Sequence, residues 1–512
     1  MTPPSKPAGT RTPTVMIQGT GSDVGKSLIV AGLARLFARQ GLAVRPFKPQ
    51  NMSNNAAPAV THETGPGAGW GEIGRAQALQ ARAAGLTPHT DMNPVLLKPQ
   101  SDIGAQLVVN GRVAGNADAR AYHDLKPSLL PGVLAAYNRL ADGADLVLIE
   151  GAGNPAEVNL RAGDIANMGF AEAADVPVIL VGDIERGGVI AALVGTWTLL
   201  PPDEQARLSG FIVNRFRGDP SLFDDALPII RDHTGMTSLG ILPWLEAARD
   251  LPAEDTSSLA ERYHGAGWSA ASIRIAVPRL PRISNFDDLD PLAAEPDVAL
   301  RLVEPGDALP PDADLILLCG SKSTRGDMAA LHENGWADQI GEAARRGAHV
   351  VGICGGYQML GHSVADPKGI EGAPGATPGL GLLDTETVIS DAKTLASVTG
   401  TSPITGDPIT GFEMHMGDTT GPDTARPMLL IDDQNTSRPD GAQSADERVS
   451  GTYVHGIFAA DGFRHNFLKR LYPARSTGFT WDQHIDVALD QLADHIEKHV
   501  DTALILEIAR RR

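Results

Sequence analysis

Between residues 15 and 243, short apolar runs alternate with longer Ala- and Leu-rich stretches: VMIQG, SLIVAGLARLFARQ and AVRPFKP, then LVLIEG, VPVILVGD and LSGFIVNRF. Near-continuous apolar runs of this length suit strands buried on both faces, and the stretches between them supply crossover helices. The pattern therefore predicts a parallel sheet covered by helices. The rhythm lapses over 244–271, and a second alternation begins at 272 with IRIAV, DLILLCG and HVVGICGG. The predicted organisation is an α/β domain over 15–243, a linker over 244–271, a second α/β domain over 272–472 and a helical segment over 473–512. Within the second domain, Gly/Pro/Thr-rich stretches at 366–380 and 399–410 predict surface loops or hairpins. Near the end, Ile485, Leu489, Leu492, Ile496 and Val500 recur at helical spacing, predicting a terminal helix packed on the second domain.

Composition narrows the class. With 512 residues, 42% hydrophobic and 21% charged, the chain can bury more than one core, which excludes global disorder. A net charge of −19 repels phosphate backbones, so nucleic acid is not the expected partner, although a local basic pocket can still hold a small anion. The two cysteines, Cys319 and Cys354, form neither a disulfide framework nor a zinc pattern, which points to a reducing compartment. No apolar run is long enough to span a bilayer, and the Pro/Thr-rich first residues lack the apolar core of a secretory signal. A cytoplasmic protein with a short frayed N-terminus and no membrane partner is expected; the sequence sets no oligomeric state.

Three segments carry chemistry. Gly19-Thr20-Gly-Ser-Asp23-Val-Gly25-Lys26-Ser27 follows a strand and opens a helix, the setting in which backbone N–H groups cradle phosphate, a lysine adds charge and a hydroxyl binds Mg²⁺. Its first glycine lies seven residues before Lys26 rather than six. Glu150, closing the strand LVLIE before Gly151-Ala-Gly153, places a carboxylate at the C-terminal sheet edge, where ligands of open α/β sheets bind and where it can hold Mg²⁺. After the second strand comes Lys48-Pro-Gln50-Asn51-Met-Ser-Asn54-Asn55, a cluster of amides and one cation where a substrate can meet the γ-phosphate. The polar patches Glu72, Arg75 and Gln77, and Asn93, Lys98 and Gln100, are expected to face the same cleft. In the second domain, Cys354 sits between a buried strand and a helix, flanked by Gly352, Gly355 and Gly356, as a nucleophile on a tight turn requires. Cys319 reads as core packing. A cysteine nucleophile needs a base, and GTYVHGIF offers His455 at a strand end 101 residues later.

The loop G-T-x-x-D-V-G-K-S resembles that of dethiobiotin synthetase and its deviant phosphate-loop relatives. That resemblance implies that Thr20, Asp23 and Lys26 face the phosphates and that Asn214, in FIVNRF, contacts adenine. The Cys354 elbow and His455 resemble class I glutamine amidotransferases, implying nucleophile and base. The glutamate usual two residues after that histidine is replaced by Ile457, and Glu413 and His415 are the nearby candidates for orienting the imidazole. The Gly320-Ser321-Lys322 turn is a candidate source of an oxyanion N–H.

Taken together, FKPQNMSNNA, GEIGRAQALQA, VLLKPQ, IEGAGNPAEVNL, DIERGG, GICGGYQMLG and GTYVHGIF resemble the adenosylcobyric acid synthase family of cobalamin assembly over about residues 15–470. The resemblance implies use of ATP and Mg²⁺, glutamine as nitrogen donor, and amidation of four peripheral carboxylates (b, d, e and g) of a corrinoid, adenosylcobyrinic acid a,c-diamide. It also implies that Arg186, with Lys48 and Lys98, offsets the substrate's carboxylates. The alternatives are the related cobyrinic acid a,c-diamide synthases, which act on a different pair of carboxylates, and a partitioning-type regulatory ATPase in which Cys354 is inert.

Overall fold

Six parallel strands form the first core, in the spatial order Thr237–Pro243, Leu208–Phe216, Val178–Asp183, Thr14–Gly19, Leu146–Glu150 and Val44–Phe47. All but the edge strand Thr237–Pro243 are apolar runs read from the sequence, and Val178–Asp183, Thr14–Gly19 and Leu146–Glu150 at the centre are buried along their whole length, as that pattern requires. The structure, a computed structural model, describes residues 11–62, 69–100, 104–253, 259–264, 267–433, 436–476 and 478–511. The expected fraying of the N-terminus falls largely on residues 1–10, outside the described set. Among the described residues no helix is long and apolar enough to cross a membrane.

The chain forms two compact units: Met1–Ser53, Ala59–Pro252 and Ile485–Arg512 in the first, Asn54–Pro58 and Ala253–His484 in the second. In the first unit, Thr14–Gly19 lies between strands that come later in the chain, so connections leave it towards opposite edges, and a crevice opens at its C-terminal end. The phosphate loop lies there, running into the helix Lys26–Arg39. A smaller sheet holds Gln50–Met52, Val95–Pro99, Gly104–Val109 and Arg112–Asp118. Phe47, Tyr137 and Phe170 interlock in the core beneath, with ring centroids 5.4–5.7 Å apart.

The C-terminal segment corrects one expectation: from Ile485 onward it belongs to the first unit, not the second. Its apolar stripe seats against the helix Lys26–Arg39 at Gly32, where a Cβ would come within 2.4 Å of Ile496 and 2.9 Å of Leu492. Around this seam Arg35 pairs with Asp490, Arg39 with Asp494 and Arg82 with Asp486. The stripe specifies burial but not a partner. The glycine groove and the opposed charges select one.

In the second unit the parallel strands Val298–Val303, Ile273–Pro278, Leu315–Leu318, His349–Ile353 and Val449–Thr452 adjoin, with Ala442–Gln443 antiparallel at one edge. A second sheet is built on the long antiparallel pair Glu386–Thr401 and Pro408–Thr420. The 399–410 stretch forms the hairpin end of that pair. Part of the 366–380 stretch is the edge strand Gly375–Pro378.

Candidate active site

In the first unit the phosphate loop is tied down from several sides. Gly25 has φ +95°, and a Cβ there would meet the Asn214 side chain at 2.2 Å, so both its conformation and its space demand glycine. Asn214 Nδ2 donates to Val24 O at 2.9 Å, Asn154 Nδ2 donates to Thr20 O at 3.0 Å, and Thr20 N donates to Val181 O at 2.9 Å. Lys26 Nζ donates to the carbonyls of Gly21 at 2.9 Å and Gly153 at 3.2 Å, poised inside the loop. Asp23, at φ +60°, faces Arg215 at 3.5 Å and Arg186 at 3.6 Å. Two guanidinium groups thus stand at the loop despite the acidic chain.

Glu150 is the hub of this site. Its Oε1 accepts from Ser27 Oγ at 2.8 Å and Lys48 Nζ at 2.7 Å, and its Oε2 from Gln80 at 2.6 Å and Gln77 at 3.3 Å. Burial opposes its charge, but Lys48, Gln80 and Ser27 hold the carboxyl below its ordinary value. Ser27 Oγ and Glu150 Oε1 are adjacent oxygen donors of the type magnesium takes. Gln77 and Gln80 project from the same face of the helix Arg75–Ala83, three residues apart.

The substrate-facing string divides. Asn51 Nδ2 donates to Gln77 Oε1 at 2.9 Å and so borders the Glu150 cluster, whereas Gln50 Oε1 accepts from the Tyr122 hydroxyl at 2.6 Å. Asn54 lies in the second unit, its Oδ1 buried without a hydrogen-bond partner. Lys98 departs from expectation. Its side chain is fully buried and paired with Glu72 at 2.5 Å, so its charge is spent on a protein carboxylate rather than offered to a ligand.

In the second unit Cys354 precedes the helix Gly355–Leu360 with φ +54° and ψ −109°, a conformation costing on the order of 1–3 kcal/mol and found where neighbours enforce it. Those neighbours are backbone. A Cβ at Gly356 would lie 2.0 Å from Leu318 O, and one at Gly352 would lie 2.4 Å from Gly356 O. His455, buried, stacks on Phe412 at 5.1 Å, and the Cys354 sulfur lies 3.6 Å from Met414 O. Its Nδ1 meets Asp288 Oδ2 at 2.7 Å, while Asp288 Oδ1 accepts from Gly456 N at 2.6 Å. Burial disfavours the imidazolium, yet Asp288 and the cysteine sulfur raise His455 to about 10.

The orienting residue is therefore Asp288, which corrects the two candidates read from the sequence. Glu413 is paired with Arg438, and His415 stacks on Tyr453 at 3.8 Å with Nδ1 towards Gly417 O. Burial lowers His415 to about 4. In the candidate oxyanion turn, Lys322 N is engaged by Arg282 O at 3.0 Å, and Gly355 packs closely on Ser321. Burial, reinforced by Asp288 and Asp287, pushes the Cys319 thiol far up, consistent with core packing.

With both sites in view, relatives can be compared. The CobQ/CobB/MinD/ParA nucleotide binding domain family matches residues 15–259, and the CobB/CobQ-like glutamine amidotransferase domain family matches residues 274–463. A cobyric acid synthase from Bradyrhizobium diazoefficiens is 56% identical over 497 residues, covering 97% of this chain and 99% of that protein. Another from Methylobacterium nodulans is 58% identical over 496 residues, with the same coverage. The chain belongs to the cobyric acid synthase family. Among solved structures, PurLQS from Thermotoga maritima matches with a TM-score of 0.29 and 20% identity, covering 42% of this chain and 97% of that one.

In this cobyric acid synthase family member, the structure gathers Ser27, Lys48 and Gln77 around Glu150, all of them candidates read from the sequence. Asp288 beside His455, Gln80 on Glu150 and Arg215 at Asp23 were not among those candidates. Asp288 lies in NFDDLD, which reads as a solvated acidic turn; the available signal was Phe286 and Leu289 interleaved with the acids, which bury the 3₁₀ turn Phe286–Leu289 whole.

Proposed function

We propose that this protein carries out ATP-dependent, glutamine-hydrolysing amidation of the b, d, e and g carboxylates of adenosylcobyrinic acid a,c-diamide, giving adenosylcobyric acid. The single observation that carries the reading is a complete Cys354–His455–Asp288 constellation and a phosphate loop in one chain of the cobyric acid synthase family. An inert cysteine in a regulatory ATPase would need neither the strained elbow nor the buried Asp288.

Cys354 attacks the carboxamide carbon of glutamine as thiolate, and His455, held by Asp288, delivers its proton to the leaving ammonia. Water then hydrolyses the γ-glutamyl thioester to glutamate and regenerates the thiol. In the first unit the backbone from Gly19 to Gly25 cradles the ATP phosphates, Thr20 and Asp23 line them, and Lys26 neutralises the transferring phosphoryl group. Asn214 keeps the loop in shape beside the adenine site. Magnesium, when bound at Ser27 and Glu150, supplies electrostatic stabilisation of phosphoryl oxygens. A corrinoid carboxylate takes the γ-phosphoryl group to form an acyl phosphate and ADP; ammonia then displaces phosphate, losing a proton to leave the amide. Lys48, Gln50, Asn51 and Arg186 serve the acceptor, with Lys98 supporting the wall of its site through its pair with Glu72. A cytoplasmic location accords with this chemistry.

The test is mass spectrometry of the a,c-diamide incubated with protein, ATP, Mg²⁺ and amide-¹⁵N glutamine. Up to four stepwise ¹⁵N incorporations are expected. Lys26→Ala should abolish them while leaving basal glutaminase, and Cys354→Ser should require free ammonia. Amidation of cobyrinic acid with none of the diamide would overturn the reading in favour of the a,c-diamide synthase.

A further inference from the structure

Asp327 is a fully buried carboxyl with no part in the chemistry described so far. It lies in the first turn of the helix Thr324–Glu333, and both of its oxygens reach back towards the loop ahead of that helix. Oδ1 accepts from Arg282 N at 3.0 Å and Oδ2 from Ser321 Oγ at 2.6 Å, while the same Ser321 Oγ accepts from Ser323 N at 3.0 Å. The Asp327 backbone N donates to Ser323 O at 2.8 Å and closes the loop on itself. One serine hydroxyl thus spends its proton on Asp327 and a lone pair on Ser323, which leaves residues 321–323 little freedom.

The loop so held stands at the amidase centre. Lys322 N donates to Arg282 O at 3.0 Å, which makes residues 282 and 322 a bonded rung beside the antiparallel pair Ile283–Ser284 and Gly320–Ser321. The next rung, Ile283 with Ser321, is then a non-bonded one, and the Ser321 N–H points away from Ile283. Gly355, the residue after Cys354, stands against that nitrogen: a Cβ there would come within 2.8 Å of it. Gly320 packs on the base, where a Cβ would come within 3.0 Å of His455 Cε1. The turn therefore runs between the base and the residue that follows the nucleophile, where the oxygen of a carboxamide attacked by Cys354 would lie.

We propose that Asp327 is a positioning residue for glutamine hydrolysis, which through Ser321 Oγ and Arg282 N fixes the 320–323 turn so that the Ser321 N–H meets the oxyanion. As the Cys354 thiolate adds to the carboxamide carbon, the C=O π pair moves onto oxygen, and Ser321 N–H donates to the charge that develops there. Collapse restores the C=O, breaks the C–N bond and, with the proton from His455, releases ammonia. An N–H already held in place needs no reorganisation as that charge forms. This role rests on the glutaminase activity proposed above and on nothing in the nucleotide-binding unit.

Ser321→Ala and Asp327→Ala each cut the link. Asp327→Asn restores it in reverse, because the amide oxygen still accepts from Arg282 N and the amide nitrogen can donate to Ser321 Oγ. The full-length variants are compared for kcat and KM of glutamate release, for Cys354 alkylation by iodoacetamide, and for ammonia-dependent amidation of the a,c-diamide. Outright loss of an oxyanion donor costs about 10²- to 10³-fold in kcat, so loosening one should lower kcat about 10- to 100-fold in both alanine variants with KM within about threefold of wild type, while Asp327→Asn stays within about fivefold. Alkylation displaces iodide at a saturated carbon and develops no oxyanion, so its rate should hold, as should amidation with ammonia. Ser321→Ala leaves the buried carboxyl in place and decides the matter if Asp327→Ala does not fold. A wild-type kcat in Ser321→Ala would overturn the role, as would an alkylation rate falling in parallel with kcat, which marks a displaced Cys354. Wild-type protein that releases no glutamate would overturn the glutaminase activity and this role with it, whereas an unchanged Ser321→Ala beside an active wild type overturns this role alone.

Discussion

Replacing Asp288 by Asn is the sharpest test of the amidase geometry. The change is nearly isosteric, removes one buried charge and leaves Cys354 and His455 in place. His455 stands at about 10 despite complete burial, with Asp288 and the cysteine sulfur both raising it. Asp288 is the largest of the groups that raise it, so its charge is worth on the order of 2 kcal/mol to the imidazolium. The amide adds a second penalty. Asp288 now accepts from both His455 Nδ1 and Gly456 N, and an amide nitrogen placed at either meets a donor. The glutaminase kcat is therefore expected to fall 10²- to 10³-fold, followed as glutamate release, while ammonia-dependent amidation is unchanged. Stability provides an independent check. A histidine raised in the fold contributes stability that is fully present below its unfolded value of about 6.5 and is lost as pH rises through about 10. Urea midpoints of Asp288→Asn should thus fall furthest below the wild type near pH 6 and approach it above pH 10. A variant retaining glutamine-dependent kcat within threefold of wild type would refute the assignment of Asp288, all the more if Glu413→Gln were the one to lose it.

Other expectations follow from burial. Glu72→Gln leaves the Lys98 ammonium buried without its carboxylate, and should cost about 3–5 kcal/mol in urea unfolding, with Glu72→Leu/Lys98→Met recovering most of it. Leu492→Ala opens a cavity over Gly32 and should destabilise the nucleotide-binding unit by about 2–4 kcal/mol while basal glutaminase persists, read by denaturation and glutamate release in parallel. Asp327 and Asp440 are each raised to about 6 by burial, so the fold holds protons there that the unfolded chain releases above about 3.8. Their contribution makes stability decline as pH climbs from about 4 to 6, and Asp327→Asn/Asp440→Asn should flatten that slope in urea titrations.

What the sequence determined by itself is local and contiguous. Residues 19–27 form a phosphate loop because their glycines, lysine and hydroxyl act through their own backbone at a strand-to-helix turn. Gly352, Gly355 and Gly356 announce the Cys354 elbow because only residues lacking a Cβ allow the close approach of the Gly356 carbonyl, Ser321 and the Leu318 carbonyl respectively. The doubly buried strands are likewise visible as runs of apolar residues. Tertiary structure alone decided whatever joins distant positions. Asp288 reaches His455 across 167 residues, Glu150 gathers Ser27, Lys48, Gln77 and Gln80 around one carboxylate, and Lys98 turns from an apparent ligand cation into half of a buried pair. The terminal helix shows the same division: Ile485 to Val500 state which face must be buried, whereas Gly32 and the arginines at 35, 39 and 82 decide against what. Periodicity encodes a need for burial, but the partner that meets it is fixed by shape and charge on elements hundreds of residues away, which no local pattern records.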